Sequence, residues 1–276
     1  MTGRHLGILS AILGVPPKPP FGTTRHMKNA DESVESRERD PSDLTRRVAN
    51  YDWEEISARI DESGWGMIPG LLTNAECEVF TNLYSDPRLF RSHIIMARHG
   101  FGRGDYKYFG DPLPQSIRSL RTALYERLVT TGNRWNTRLE IDVQFPSSHP
   151  EFIERCHQAG QTKPTPLLLR YRSGDFNALH QDVYGDLVFP LQVAVLLSAP
   201  MTEFTGGEFV LIEQRPRMQS RAEVVPLSRG DAVAFAVRHR PVEGKRGFYR
   251  VNLRHGVSRL RSGKRFTLGV IFHDAR

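Results

Sequence analysis

The sequence predicts an α+β protein, with helices first and one β-rich unit after them. Two observations carry this reading. Between about residues 50 and 163, apolar residues recur at helical spacing. After Pro164 the texture changes to seven short strand-forming runs, each bounded by Gly, Pro or Ser. Seven such runs without intervening helices suggest a sandwich or barrel rather than βαβ units. No internal repeat of fixed period accompanies them.

The elements follow in order. "LGILSAILGV" (6–15) is apolar but too short to span a bilayer. It lacks a small-residue cleavage site, and "PPKPP" follows at once, so no secretion signal is expected. The chain to about Arg47 is Pro-rich and then charged, without an apolar period, which predicts a disordered segment over 1–47. An ordered domain is expected over 48–276, with a helical part (48–163) and a β core (164–276). "YDWEEISARIDESG" places Trp53, Ile56 and Ile60 on one helix face and ends at Gly64. Thr73, with Glu76 three residues on, is a capping-box start for "NAECEVFTNLYS". Residues 92–114 read as strand and then as glycine- and aromatic-rich chain. Ile117, Leu120, Leu124 and Leu128 mark an amphipathic third helix, and "HPEFIERCHQAG" marks a shorter fourth. The strand candidates are "TPLLLRYR", "FPLQVAVLLS", "GGEFVLIE", "AEVVPL", "DAVAFAV", "YRVNLRHGVSRL" and "RFTLGVIFH".

A hydrophobic content of 39% and a charged content of 25% are those of an ordinary soluble domain with ample core. They argue against a membrane protein. A net charge of +7 permits nucleic acid, anionic metabolites or an acidic protein as partner. Cys77 and Cys156 are too few for a disulfide scaffold and too far apart for a zinc ribbon, so a reducing cytoplasm is expected.

The chemistry begins in "LLLRYRSGDFNALHQD" (167–182). His180 and Asp182 lie two positions apart after a strand-like run, and residues i and i+2 of a strand share a face. The pair could hold a metal, form an acid/base couple, or be a solvated strand end. His255, in a later strand, supplies a third donor; His239, in "VRHRPVEG", which reads as a polar turn, is its rival. Ten positions beyond His255 comes Arg265, with Thr267 on the same strand face. Two histidines and one carboxylate leave half an octahedron open, the arrangement of non-heme Fe(II) oxygenases. The open positions suit a bidentate 2-oxo acid and O2. The guanidinium of Arg265 and the hydroxyl of Thr267 suit the far carboxylate of 2-oxoglutarate.

The constellation His180-x-Asp182 … His255 … Arg265-x-Thr267 resembles that of the 2-oxoglutarate/Fe(II)-dependent dioxygenases. The resemblance implies a double-stranded β-helix (jelly roll) for the β unit, with the N-terminal helices packed against it. "RYRSGDFNALHQD" is similar to the first ligand motif of the AlkB-type nucleic-acid dealkylases, which maps their 2-oxoglutarate-contacting tyrosine onto Tyr171. The chain departs from that pattern at Leu169, where those enzymes carry asparagine, and at Ile271, where they carry a second arginine. "FTGGEFVL" and "VPLSRGDAVAF" look more like the prolyl-hydroxylase branch. From about residue 50 to 276 the chain resembles a bacterial family whose proposed role is oxidative dealkylation of damaged DNA.

The resemblance therefore implies an Fe(II)- and 2-oxoglutarate-dependent dioxygenase, with His180, Asp182 and His255 as metal ligands. Two substrate classes are expected. The first is an alkylated nucleic-acid base, supported by an arginine-dense stretch running from Arg215, Arg217, Arg221 and Arg229 to Arg238, Arg240 and beyond. Tyr106, Tyr108 and Phe109 are candidates to stack on the base. The second is a prolyl or other peptidyl residue, or a free amino acid.

Overall fold

The computed structural model describes residues 41–276. The expected disorder over 1–40 and the apolar stretch at 6–15 lie outside the described residues. The order begins with helices α1 (Pro41–Ala49) and α2 (Trp53–Ser63), strand β1 (Trp65–Ile68) and helix α3 (Asn74–Leu83). Strands β2 (Phe90–Ile95), β3 (Gly102–Arg103) and β4 (Asp105–Phe109) precede helices α4 (Gln115–Arg138) and α5 (His149–Gln158). Then come β5 (Leu167–Arg172), β6 (Phe176–His180), β7 (Leu191–Leu196), β8 (Phe204–Gly206) and β9 (Phe209–Gln214). The chain ends with β10 (Arg221–Val225), β11 (Ala232–Ala236), β12 (His239–Gly244), β13 (Gly247–Val257) and β14 (Leu260–Val270).

The strands form two antiparallel sheets. One runs β1-β11-β7-β14-β5-β4-β2, with β8 on β14; the other runs β10-β9-β13-β6-β3, with β12 on β13. Side-chain alternation gives each strand of the larger sheet two different faces. Leu191, Val193 and Val195 of β7, Leu168 of β5, and Phe266, Leu268 and Val270 of β14 belong to one core with the helices. Ala194, Leu196, Tyr171, Val233 and Phe235 turn the other way and pack with Phe209, Leu211 and Val257 of the smaller sheet. The helices thus cover one face of the larger sheet and leave its other face for the space between sheets. This is the layout expected of a jelly roll with helices packed against it.

Local chemistry sets the helix ends. Thr73 and Glu76 form the reciprocal capping box at α3. Gly64 ends α2 in the left-handed region at φ 81°. No helix among the described residues is long and apolar enough to cross a membrane. Cys77 and Cys156 are buried free thiols.

Three features depart from the sequence-based expectations. Helix α1 begins at Pro41, inside the segment expected to be disordered to residue 47. Among its described side chains it buries Leu44 and Val48, while Arg47 reaches Glu76 at 2.8 Å and the Leu71 carbonyl at 2.6 Å; tertiary contacts hold a helix whose own pattern is polar. The glycine- and aromatic-rich chain after the expected strand β2 itself forms a strand, β4, and the two extend the larger sheet beside β5. The polar stretch holding His239 is strand β12, and its hairpin with β13 places charged residues on an exposed ribbon.

Several arginines expected to face nucleic acid are occupied in the fold. Glu213 is buried and accepts from Arg240, also buried, at 2.5 and 2.8 Å, and from Arg215 at 2.7 Å. Arg221 lies 4.0 Å from the same carboxylate, and Arg229 pairs with Glu78. Glu213→Ala would leave the Arg240 cation buried without its partner, at an expected cost of about 3–5 kcal/mol in urea unfolding. Burial alone would raise the Glu213 carboxyl, but Arg215 and Arg240 hold it below its ordinary value. The pair's contribution is therefore present above about pH 5 and lost as pH falls below about 4. A wild-type unfolding midpoint that does not fall through that window would contradict this.

Candidate active site

The space between the sheets contains a cavity of about 340 Å³. Its lining follows from alternation. β5 contributes Leu167, Leu169 and Tyr171; β14 contributes Arg265, Thr267 and Gly269, with Ile271 just beyond; β7 contributes Gln192. From the smaller sheet come His180 and His255, which are Cα partners across β6 and β13. Asp182 lies two residues past the end of β6 and still reaches both imidazoles. One carboxylate oxygen is 3.4 Å from His180 Nε2, and the other is 3.2 Å from His255 Nε2. One ligand atom from each of the three lies within 4.8 Å of the others.

Hydrogen bonds orient this cluster. His180 Nδ1 is 2.8 Å from the Ala178 carbonyl; as donor there, it leaves the Nε2 lone pair facing the cluster. Asp182 Oδ1 accepts from the Tyr184 hydroxyl at 2.7 Å, and Oδ2 from Gln192 Nε2 at 2.9 Å. Burial would raise the Asp182 carboxyl, but the two imidazoles hold it well below its ordinary value. Burial pulls His180 down, and the hydrogen bond and charge of Asp182 more than offset this, lifting it above its usual value. His255 is lowered, by burial first and by His180 second. A full negative charge and two nitrogen donors converge on one point, which is the donor set a divalent iron needs.

Arg265 is 1% exposed, yet its hydrogen bond runs to Thr267 Oγ1 at 2.6 Å, and its Nε has no partner. Tyr171 is fully buried 5.6 Å from that guanidinium, and its hydroxyl also has no partner. Burial pulls the Arg265 guanidinium down to about 10, so it is still charged at neutral pH. An unmatched buried cation beside two hydroxyls suits the distal carboxylate of a 2-oxo dicarboxylic acid.

The six site residues named from the sequence thus line one cavity. His239 lies at the start of β12, outside the cluster. Of the stacking candidates, Tyr106 and Tyr108 line the cavity, in T-shaped contact at 5.4 Å. Phe109 does not: it is fully buried and stacks on Phe90 at 4.7 Å, because alternation turns it to the helix side. Both departures from the AlkB-type pattern, Leu169 and Ile271, line the cavity and make that wall apolar. The two prolyl-hydroxylase-like motifs shape turns. Gly206 and Gly207 have φ of 70° and 66°, and a Cβ on Gly207 would run into Leu260. Asp231 caps the amides of Gly70 and Ser228 at 2.7 and 2.8 Å.

Sequence reasoning missed Tyr184 and Gln192. Tyr184 carries the alternation His180-x-Asp182 one step further. Gln192 is the one polar residue in "LQVAVL", a wholly buried strand; a polar group in such a place needs a partner.

Residues 104–275 match Oxygenase-NA, a family described as "Oxygenase, catalysing oxidative methylation of damaged DNA". The chain belongs to this family. An uncharacterized protein of Mycobacterium tuberculosis, found in strains CDC 1551 / Oshkosh and H37Rv, is 48% identical to this oxygenase over 167 residues. The match covers 60% of the present chain and 72% of the relative. Among solved structures, a prolyl 4-hydroxylase from Phytophthora capsici is similar with a TM-score of 0.50 at 18% identity, over 88% of this chain and 68% of that one. The non-heme alpha ketoglutarate dependent epimerase SnoN of nogalamycin biosynthesis gives 0.50 at 17% identity, over 85% of this chain and 84% of its own. Such likenesses speak for the fold alone, a jelly roll shared with these enzymes. This oxygenase is an oxidoreductase, and its His180, Asp182 and His255 bring together the donor set of a metal site.

Proposed function

We propose that the protein oxidatively dealkylates damaged nucleic-acid bases, with His180, Asp182 and His255 holding Fe(II) and with Arg265, Thr267 and Tyr171 holding 2-oxoglutarate. The match of residues 104–275 to a family described by its action on damaged DNA carries the substrate class. When bound, iron and 2-oxoglutarate supply with O2 an oxidant that hydroxylates a substrate C–H bond. The chain's own residues do the rest. Arg265 and Thr267, both buried in the cavity wall, would anchor the distal carboxylate. Leu167, Leu169 and Ile271 keep water from that wall. Tyr106 and Tyr108 offer ring faces and edges to a planar base. An N-alkyl carbon that receives a hydroxyl leaves as an aldehyde, restoring the base.

A base must be extruded from a duplex, or already single-stranded, to enter such a cavity. Arg238 and Arg254, both exposed, flank Gln181, whose amide donates to the Leu253 and Arg238 carbonyls; no ion pair to either arginine occurs among the described residues. Single-stranded oligonucleotide affinity should fall with salt at a log–log slope of about −0.7 per phosphate contacted. Charge reversal at Arg238 and Arg254 should flatten that slope. The deciding assay uses iron-loaded protein with methylated oligonucleotides, proline-containing peptides and free amino acids, and reads succinate and formaldehyde. Formaldehyde is expected only with the methylated oligonucleotides. Hydroxylated peptide or amino acid without formaldehyde would replace the dealkylation reading with the hydroxylase one.

A further inference from the structure

Asp182 has no strand ladder to hold it, because β6 ends at His180. In the chain beyond it, leading to β7, the backbone of residues 184–187 is bound by a side chain from another part of the fold. Gln161 is fully buried just after α5. Its two amide N–H groups are shared among the carbonyls of Tyr184 (3.3 Å), Leu187 (3.1 Å) and Asp274 (2.6 Å). Its amide oxygen accepts from the backbone N–H groups of Asp186 (2.9 Å) and Leu187 (2.8 Å). This approach requires glycine at 185, where φ is 89° and a Cβ would run into Gln161 Cδ. At the end of the segment so held, the Tyr184 hydroxyl donates to Asp182 Oδ1 at 2.7 Å and accepts from the Tyr108 hydroxyl at 3.1 Å.

We propose that Gln161, Gly185 and Tyr184 form one positioning unit that presets the Asp182 carboxylate for metal binding, an inference resting on the reading of Asp182 as a ligand. Gln161 fixes the loop backbone, Gly185 lets it come close enough to be fixed, and Tyr184 transmits the fixed position to one carboxylate oxygen. Gln192 holds the other oxygen from β7, so the carboxylate plane is set from two sides. A ligand oriented in advance does not have to be ordered when the ion arrives, and partners of this kind typically govern 10–100-fold in metal affinity. The three residues are positioning residues: they act through Asp182.

The test is Co(II) binding to the metal-free full chain, followed by visible absorption, with the unfolding midpoint of the metal-free protein measured alongside. Tyr184→Phe keeps the ring and removes one oxygen. It should weaken Co(II) binding roughly 10–100-fold and change the Co(II) spectrum, with the metal-free midpoint close to wild type. Gly185→Ala should weaken binding over a similar range by displacing the loop. The double variant should be no weaker than Gly185→Ala alone, because the displaced loop has already withdrawn the hydroxyl. Wild-type Co(II) affinity and spectrum in Tyr184→Phe would overturn the proposal, and that single variant decides it even if Gly185→Ala does not fold. Asp182→Ala separates the two levels. It is expected to lose Co(II) binding; wild-type binding there would remove the ligand reading itself.

Discussion

Asp182→Ala, His180→Ala and His255→Ala are each expected to abolish iron-dependent release of succinate from 2-oxoglutarate. Two remaining donors cannot hold iron with one open face, so the loss should exceed the roughly 100-fold that removal of a supporting partner costs. The geometry makes Asp182 the most severe of the three. Its carboxylate is the sole negative charge in the cluster and touches both imidazoles, at 3.4 and 3.2 Å. Without it, the two rings, whose centroids are 4.2 Å apart, would face a dication with no charge to offset it. His239→Ala should retain iron binding and turnover, since His239 lies outside the cluster. Activity in His255→Ala together with its loss in His239→Ala would reverse the third-ligand assignment.

The parts of this site legible in the sequence were those governed by periodicity. Arg265 and Thr267 share a strand face by the two-residue repeat, and Phe266, Leu268 and Val270 occupy the other, packed against the helices. The same repeat places Tyr171 in the cavity and Phe109 out of it, although Phe109 reads on composition alone as equal to Tyr106 and Tyr108. What periodicity cannot supply is a partner brought from a distant part of the chain. Gln161 is an unremarkable polar residue between a helix and a strand, and only the fold sets it against residues 184–187. Arg215, Arg221 and Arg240 look alike in sequence to Arg238 and Arg254. The difference is the carboxylate of Glu213, buried where strands β9, β12 and β13 meet. Helix α1 was missed for a related reason: its stability comes from Leu44, Val48 and the reach of Arg47 to Glu76, not from its own composition.

Arg265→Ala is expected to weaken 2-oxoglutarate binding by about 2–5 kcal/mol, the cost of removing one partner of a buried, charge-assisted pair. That corresponds to roughly 30- to several-thousand-fold in Kd, with iron affinity little changed. Arg265→Lys should recover part of the loss, because an ammonium brings the charge without the planar fork. The metal-free protein should respond in the opposite direction. Its Arg265 guanidinium is desolvated, bonded to Thr267 Oγ1, and faces the ring of Tyr171 rather than a carboxylate. Burial lowers its pKa to about 10, so between there and its ordinary value the unfolded chain binds more protons than the native one. Below pH 10 the buried charge is a constant penalty on the native state, relieved only as pH rises through that range. Replacing such a cation with an apolar side chain of similar length removes the penalty. Arg265→Met should therefore unfold in urea at no lower a concentration than wild type when 2-oxoglutarate is absent. Adding 2-oxoglutarate with Fe(II) should then raise the wild-type midpoint well above that of the variant. A wild-type 2-oxoglutarate requirement in Arg265→Ala, or a marked loss of stability in Arg265→Met, would mean that the guanidinium holds the fold together rather than waiting for an anion.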